Sequence, residues 1–338
     1  MVFYYQNGDT LKEALNVYSE AKKPFFFIIS FDQQEGYCVP LSQISYSPLS
    51  FSFPGNKTGG ARVAPKKPFS FSCPAFTLQH TLSYSEYEQQ FARIQRELSL
   101  GHTFLLNLTR QSEVISHFSL VELFYLSEAK YKVWLKDKFI SFSPETFIRI
   151  NEEGTIATYP MKGTIDASLQ DAPALLLNNP KELAEHHTIV DLMRNDLNQV
   201  AENIMVTRFR YLEKITTEQG AIYQSSSEII GHLRSEYKHR IGDLMARLLP
   251  AGSISGAPKS STLKIIRETE NYQRGFYTGI AGLYDGKSLD SCVLIRYLER
   301  QKGKYFYKSG GGITAYSDSR AEYQECLQKI YLPVHPCG

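Results

Sequence analysis

Gly154-Thr-Ile-Ala-Thr-Tyr-Pro-Met-Lys-Gly-Thr164 is the stretch from which both the fold and the chemistry can be read outward. Gly154 to Thr158 reads as a strand. Pro160 biases Tyr159 toward extended backbone and has no N–H to give a sheet ladder, so the strand is predicted to end or kink there. Lys162 is then presented from a strand end, beside a glycine that permits close backbone approach. A lysine held in a pocket can lose its proton and act as a nucleophile. An ordinary surface lysine after a strand accounts for the same residues, and this stretch alone does not separate the two.

The flanks extend the strand pattern. On the N-terminal side lie Tyr131-Lys-Val-Trp-Leu135, Phe139-Ile-Ser-Phe142 and Thr146-Phe-Ile-Arg-Ile150, with Glu145 in the turn between the last two. Earlier, Pro24-Phe-Phe-Phe-Ile-Ile-Ser30 and Gly36-Tyr-Cys-Val-Pro40 read as antiparallel strands. A helix over about 84–98, capped by Ser83 or Ser85, sets Tyr87, Phe91, Ile94 and Leu98 on one face. Asn179-Pro-Lys-Glu182 opens a helix to about Leu197, with Asn at the N-cap and Glu182 in a capping box. Helices are also expected over 120–129, 241–249 and up to 270, and a last one is opened by the capping box Ser319-x-x-Glu322. Strand clusters mixed with helices, without regular βαβ alternation, predict an α+β fold with antiparallel sheets. The Pro-, Gly- and Lys-rich run over 52–75 reads as a mobile loop or boundary. The chain is expected to divide into a strand-rich region, 1–80, packed on a core of residues 81–338.

With 338 residues the chain can bury a large core. A net charge of +2, mixed along the sequence, gives no nucleic-acid footprint. No leader and no apolar run of membrane-spanning length is visible. The five cysteines lack C-x-x-C spacing and read as reduced thiols of a cytoplasmic protein.

Several side chains point to an anionic ligand. Glu182 and Glu185 are neighbours on one helix. At about 100° per residue Glu182 falls within the apolar stripe of Leu183, Ile189, Val190, Met193 and Leu197, and Glu185 at its edge. An inward carboxylate needs a cation, a metal or donors. Glu322, Glu325 and Lys329 share a face of the last helix. That is either a solvated face or, with Glu185, a pair of carboxylates for one hard cation, for which magnesium is suited. Arg296 lies in Cys292-Val-Leu-Ile-Arg-Tyr-Leu, a strand otherwise apolar on both faces, and a buried guanidinium needs a carboxylate of the protein or of a ligand. Ser309-Gly-Gly-Gly-Ile313 offers backbone N–H groups to an anion, or is a plain turn. Pro258 spoils the phosphate-loop pattern in Gly252-Ser-Ile-Ser-Gly-Ala-Pro-Lys259, which argues against a nucleotide-dependent enzyme. His186 and His187 lack the spacing of a zinc pair. Together these suit a pocket for a small dicarboxylate.

In order and wording, Ser143-Pro-Glu-Thr146, Pro160-Met-Lys-Gly-Thr164, Glu185-His-His-Thr-Ile-Val-Asp-Leu-Met-Arg-Asn-Asp-Leu197, Gly252-Ser-Ile-Ser-Gly-Ala-Pro-Lys259, Ile295-Arg296, Gly310-Gly-Gly-Ile-Thr314 and Glu322-Tyr-Gln-Glu-Cys-Leu-Gln-Lys329 resemble the chorismate-utilising enzymes. These include anthranilate synthase component I, aminodeoxychorismate synthase component I, and the isochorismate and salicylate synthases. The resemblance spans about residues 83–332. It implies antiparallel sheets packed face to face with helices outside. It also implies magnesium held by Glu185 and Glu325, with Glu182 and Glu322 adjacent, and carboxylate grips from Arg296, Lys329, Gly311 and Gly312. Ser253 matches a hydroxyl lining the pocket, and Glu145 the acid that assists the leaving hydroxyl. Gln224 stands where relatives carry histidine, and Tyr297 and Cys326 where threonine is common. Lysine at position 162 resembles the aminodeoxychorismate branch. It implies attack of the neutral amine on chorismate, with ammonia supplied by a separate glutamine amidotransferase subunit in a heterodimer. The alternatives are an anthranilate, isochorismate or salicylate synthase, or a non-catalytic partner of an amidotransferase.

Overall fold

The computed structural model describes residues 3–57, 75–217 and 220–333. Most of the loop expected over 52–75 lies outside the described residues.

The described strands form two antiparallel sheets. The ten-stranded sheet runs, in spatial order, Tyr4–Tyr5, Gly36–Pro40, Phe25–Ile29, Ile280–Tyr284, Leu289–Val293, Thr146–Ile150, Thr155–Thr158, Gly220–Leu233 and Met161–Asp166, with Ala201–Thr217 along the other edge of Gly220–Leu233. The nine-stranded sheet runs Gly256–Ala257, Leu105–Ile115, Lys304–Ile313, Tyr297–Gln301, Phe139–Ser143, Tyr131–Leu135, Leu49–Phe53 and Asn56–Lys57, with Thr77–His80 beside Leu105–Ile115.

Alternation along Phe25–Ile29 shows how the layers stack. Phe26 and Ile28 join Phe51, Phe53, Tyr131 and Phe139 of the other sheet in a core between the sheets. Phe25, Phe27 and Ile29 face the opposite way, toward the helices Gly8–Glu20, Pro180–Asn198 and Ile241–Leu248. With both faces covered, all five residues are buried, each contributing roughly 1.5–3 kcal/mol of apolar transfer. The helices Tyr84–Ser99 and Lys259–Thr269 cover the outer face of the second sheet. This is the predicted sandwich of antiparallel sheets with helices outside.

The described part of the N-terminal region, residues 3–57, is woven into both sheets: Phe25–Ile29 pairs with Ile280–Tyr284, and Leu49–Phe53 with Tyr131–Leu135. The helix Gly8–Glu20, capped by the Asn7 side chain on the N–H groups of Asp9 and Thr10, has no counterpart in the sequence reading. The helix Tyr84–Ser99 forms as predicted, with the Ser83–Glu86 capping box and Tyr87, Phe91, Ile94 and Leu98 buried. No described helix is long and apolar enough to cross a membrane.

The strand expected to end or kink at Pro160 ends at Thr158, and a second one starts beyond the proline: Thr155–Thr158 and Met161–Asp166 pair with the same edge of Gly220–Leu233, and the Pro160 carbonyl accepts the Ser227 N–H at 3.0 Å. Two local expectations change. The single strand expected around Arg296 is two strands in different sheets, Leu289–Val293 and Tyr297–Gln301. Arg296 sits at the crossing with φ +51°, which breaks the ladder at that residue. Gly310 to Gly312 make no turn; they lie in a strand, opposite Thr109, Leu108 and Asn107.

Candidate active site

A bulge presents Lys162. Met161 stands opposite Ser226 and Thr164 opposite Gln224, so Lys162 and Gly163 together oppose Ser225. Gly163 takes φ +89°, a conformation suited to glycine. The Lys162 Nζ lies 2.9 Å from Glu185 Oε2 on the helix Pro180–Asn198, and Lys181 stands 3.9 Å from the other oxygen. That helix is rotated from the predicted stripe: Glu185 and His186 are buried, and Leu183 is exposed.

The capping box assigned to Glu182 does not form. Asn179 caps the helix alone, through the N–H groups of Lys181 and Glu182, and Glu182 Oε2 is buried with no hydrogen-bond partner. A methyl group on Gly163 would come within 2.6 Å of that oxygen. Glu322 is displaced from its predicted role in the same way. The last helix, Ser319–Gln328, is capped by Asp318, and Glu322 is buried, accepting a 2.8 Å hydrogen bond from Ser317.

The glycine strand lets the two acidic helices and the lysine meet. A Cβ on Gly311 would stand 3.2 Å from Glu322 Oε2 and 3.8 Å from Lys329 Nζ, and one on Gly312 3.9 Å from Lys162 Nζ. Lys329 pairs with Glu325 at 2.6 Å and donates to the Gly310 carbonyl at 2.9 Å. Beyond them, Ser253 donates to Glu145 Oε1 at 2.7 Å. Arg296, expected against a carboxylate, has none within ion-pair distance among the described residues; its Nε donates to the Tyr331 hydroxyl at 3.2 Å, over that ring. Gln224 faces Thr164 across the ladder, half-buried, and makes no hydrogen bond to these groups among the described residues.

Electrostatics ties the cluster together. Burial pushes the Lys162 ammonium toward neutrality, but Glu185, Glu325 and Glu322 outweigh it and raise its pKa. The expected disfavouring of the charged lysine is therefore reversed in this arrangement. Burial raises Glu145, and Ser253, Arg296 and Lys329 moderate the rise. Burial and neighbouring glutamates raise Glu182 and Glu322. Glu325 is lowered: its own desolvation is overcome by Lys329, Lys162 and Arg296.

His186 and Ser227 join the site through contacts that no local motif marks. His186 Nε2 lies 2.7 Å from the Ser227 hydroxyl and Nδ1 3.3 Å from the Lys162 carbonyl. Tested only for zinc spacing, the His186-His187 pair gave no signal of this role.

The family described as chorismate binding enzyme matches residues 46–334. An uncharacterized PabA-like protein of Haemophilus influenzae is 46% identical over 323 residues, 95% of this chain and 96% of that one. Aminodeoxychorismate synthase component 1 of Klebsiella aerogenes is 32% identical over 269 residues, 75% of this chain but only 58% of that relative. In fold, MenF, the menaquinone-specific isochorismate synthase from Escherichia coli, superposes with a TM-score of 0.73 at 16% identity, over 97% of this chain and 82% of that one. The chain belongs to the chorismate-binding enzyme family.

Proposed function

We propose that this protein aminates chorismate to 4-amino-4-deoxychorismate, a step toward 4-aminobenzoate and folate, through a covalent bond to Lys162. The supporting observation is the position of Lys162, where the acidic helices and the glycine strand converge. The neutral Lys162 amine attacks ring carbon 2, the ring double bond shifts, and the carbon 4 hydroxyl leaves as water with a proton from Glu145. Ammonia then attacks carbon 4, the double bond returns, Lys162 is expelled as the neutral amine, and the ammonium formed at carbon 4 gives a proton back to Glu145. A raised pKa suits Glu145 to the acid role, and its hydrogen bond from Ser253 aims it. Arg296, Lys329 and the backbone at Gly311 and Gly312 hold the two carboxylates of chorismate, and Gln224 is an uncharged contact in place of a histidine.

The glutamates suit magnesium as donors. Glu182 Oε2 is a buried acceptor without a partner, and Gly163 and Gly311 leave space beside Glu182 and Glu322. In the arrangement described, no three His, Cys, Asp or Glu residues among the described ones are grouped closely enough to hold a metal. Glu185 and Glu325 would be its ligands, with Glu182 and Glu322 adjacent. Bound there, the ion would supply positive charge to a substrate carboxylate and to the departing hydroxyl.

Ammonia comes, in this reading, from a glutamine amidotransferase subunit. The unpaired buried thiols of Cys38, Cys292 and Cys326 support a reducing, cytoplasmic setting.

Intact-protein mass spectrometry with chorismate and magnesium, without ammonia, tests the reading. The wild type should gain an adduct and Lys162→Ala none. With ammonia added, 4-amino-4-deoxychorismate should form; fluorescent anthranilate, or equal turnover by Lys162→Ala, would overturn it.

A further inference from the structure

We propose that His186 is a positioning residue for Lys162, gripping its peptide carbonyl through a directed hydrogen-bond chain that starts in the neighbouring strand. This rests on the reading of Lys162 as the reacting group.

With a neutral ring the chain has one polarity. The Lys162 carbonyl only accepts, so the Nδ1 atom 3.3 Å away carries the proton. A neutral ring then leaves Nε2 as an acceptor, 2.7 Å from the Ser227 hydroxyl. Ser227 Oγ in turn accepts the Arg210 N–H at 3.0 Å, leaving its own hydrogen free for His186. Hydrogen bonds therefore run Arg210 N–H to Ser227, Ser227 O–H to His186, and His186 N–H to Lys162. Both ends lie at irregularities: Arg210 has φ +49° in a register shift of Ala201–Thr217, and Lys162 sits in its own bulge. Arg210 is anchored further, donating to the carbonyls of Leu176 and Leu177. His186 and Ser227 are fully buried.

The consequence is specific to Lys162. A bulge residue is left less restrained by its own ladder than a paired one. Two consecutive residues of one helix supply the restraint: Glu185 takes the ammonium and His186 the carbonyl. Holding both ends fixes the direction of the side chain, and a misplacement of about 1 Å can cost on the order of 10²-fold in rate.

The decisive comparison is His186→Asn against His186→Gln, both polar and close in size. The Asn amide N–H reaches the place of Nδ1 and keeps the Lys162 contact; the Gln amide reaches the place of Nε2 and keeps only Ser227. Acetylation of Lys162 by acetic anhydride, followed peptide by peptide by mass spectrometry, reads the lysine directly and needs no turnover. Ammonia-dependent kcat and the KM for chorismate are read beside it. The Asn variant should keep wild-type labelling and a kcat within about threefold, whereas the Gln variant should change the labelling rate and lower kcat about tenfold or more with KM nearly unchanged. Equal behaviour of the two variants in labelling would overturn the proposal. Changed labelling in the Gln variant, with no aminated product even from the wild type, would sink the proposed function and leave the positioning intact.

Discussion

The Lys162 ammonium and Glu185 Oε2 stand 2.9 Å apart, so the candidate nucleophile and a candidate metal ligand hold each other. Glu185 is the foremost of the charges that raise Lys162 against its own desolvation. Without that anion, only the weaker pull of Glu325 and Glu322 would oppose burial, which favours the neutral amine. In Glu185→Gln, Lys162 should therefore acetylate faster than in the wild type at pH 8, while magnesium-dependent turnover falls. Slower or unchanged labelling would show that another group holds the proton.

His186 should make stability depend on pH. Its pKa falls from 6.5 in the free residue to about 4 in the fold. Between those values the unfolded chain binds the proton and the native one does not, so stability falls as pH drops through this window and levels off below it. The shift corresponds to roughly 3 kcal/mol. Raised carboxylates such as Glu145 and Glu182 act in the opposite sense, so the measurement is a difference. Urea unfolding at pH 7 and pH 4.5 should show wild type losing more stability than His186→Asn.

Ser253 and Glu145 give a prediction with opposite signs on rate and pH profile. Glu145→Gln removes the proposed proton donor and should lower amination by about 10²- to 10⁴-fold. Ser253→Ala removes the 2.7 Å hydrogen bond that moderates the raised pKa of Glu145. Its alkaline limb of kcat, where the acid loses its proton, should move to higher pH. A shift to lower pH would contradict the acid role.

Two glycines of the site should respond differently to alanine. At Gly163 the backbone is left-handed, φ +89°, and a Cβ meets Glu182 Oε2 at 2.6 Å. Gly163→Ala should cost about 1–3 kcal/mol of stability. Gly311 lies in a strand, where a Cβ meets Glu322 Oε2 at 3.2 Å. Gly311→Ala should leave the melting temperature nearly unchanged and raise the KM for chorismate or magnesium. Thermal melts and steady-state kinetics on both variants check this.

Arg274 secures the short helix Gly252–Ser255, which carries Ser253. It donates to both oxygens of Glu270, to the Ile254 carbonyl and to the Asn107 carbonyl, and the side chains of the pair are 2% exposed. Arg274→Ala strands a buried carboxylate and should cost about 3–5 kcal/mol in urea unfolding.

The local signals that proved sound are those completed within a few residues. Ser83, one of the two expected caps, starts the helix, and Tyr87 to Leu98 bury at helical spacing, because turn geometry and periodicity are short-range properties. The three strands over 131–150 were legible from apolar runs and the Ser143–Thr146 turn for the same reason. The acidic residues, Lys162, the glycines and Arg296 could all be picked out as a set, though not placed.

The sequence by itself determined the antiparallel α+β character and the family, since periodicity, caps and motif order are written along the chain. Only the tertiary structure decided what each polar residue touches. Glu182 and Glu322 have sound local spacing for capping boxes, yet Asn179 and Asp318 cap without them, and long-range packing turns both toward the site. Arg296 looked like the middle of one strand because nothing local marks which of two sheets each half joins. Lys162 became more than a lysine after a strand because a bulge, Glu185 and His186 meet there. Those contacts come from strand pairing and helix docking across tens of residues, where the energy depends on register and burial rather than on spacing.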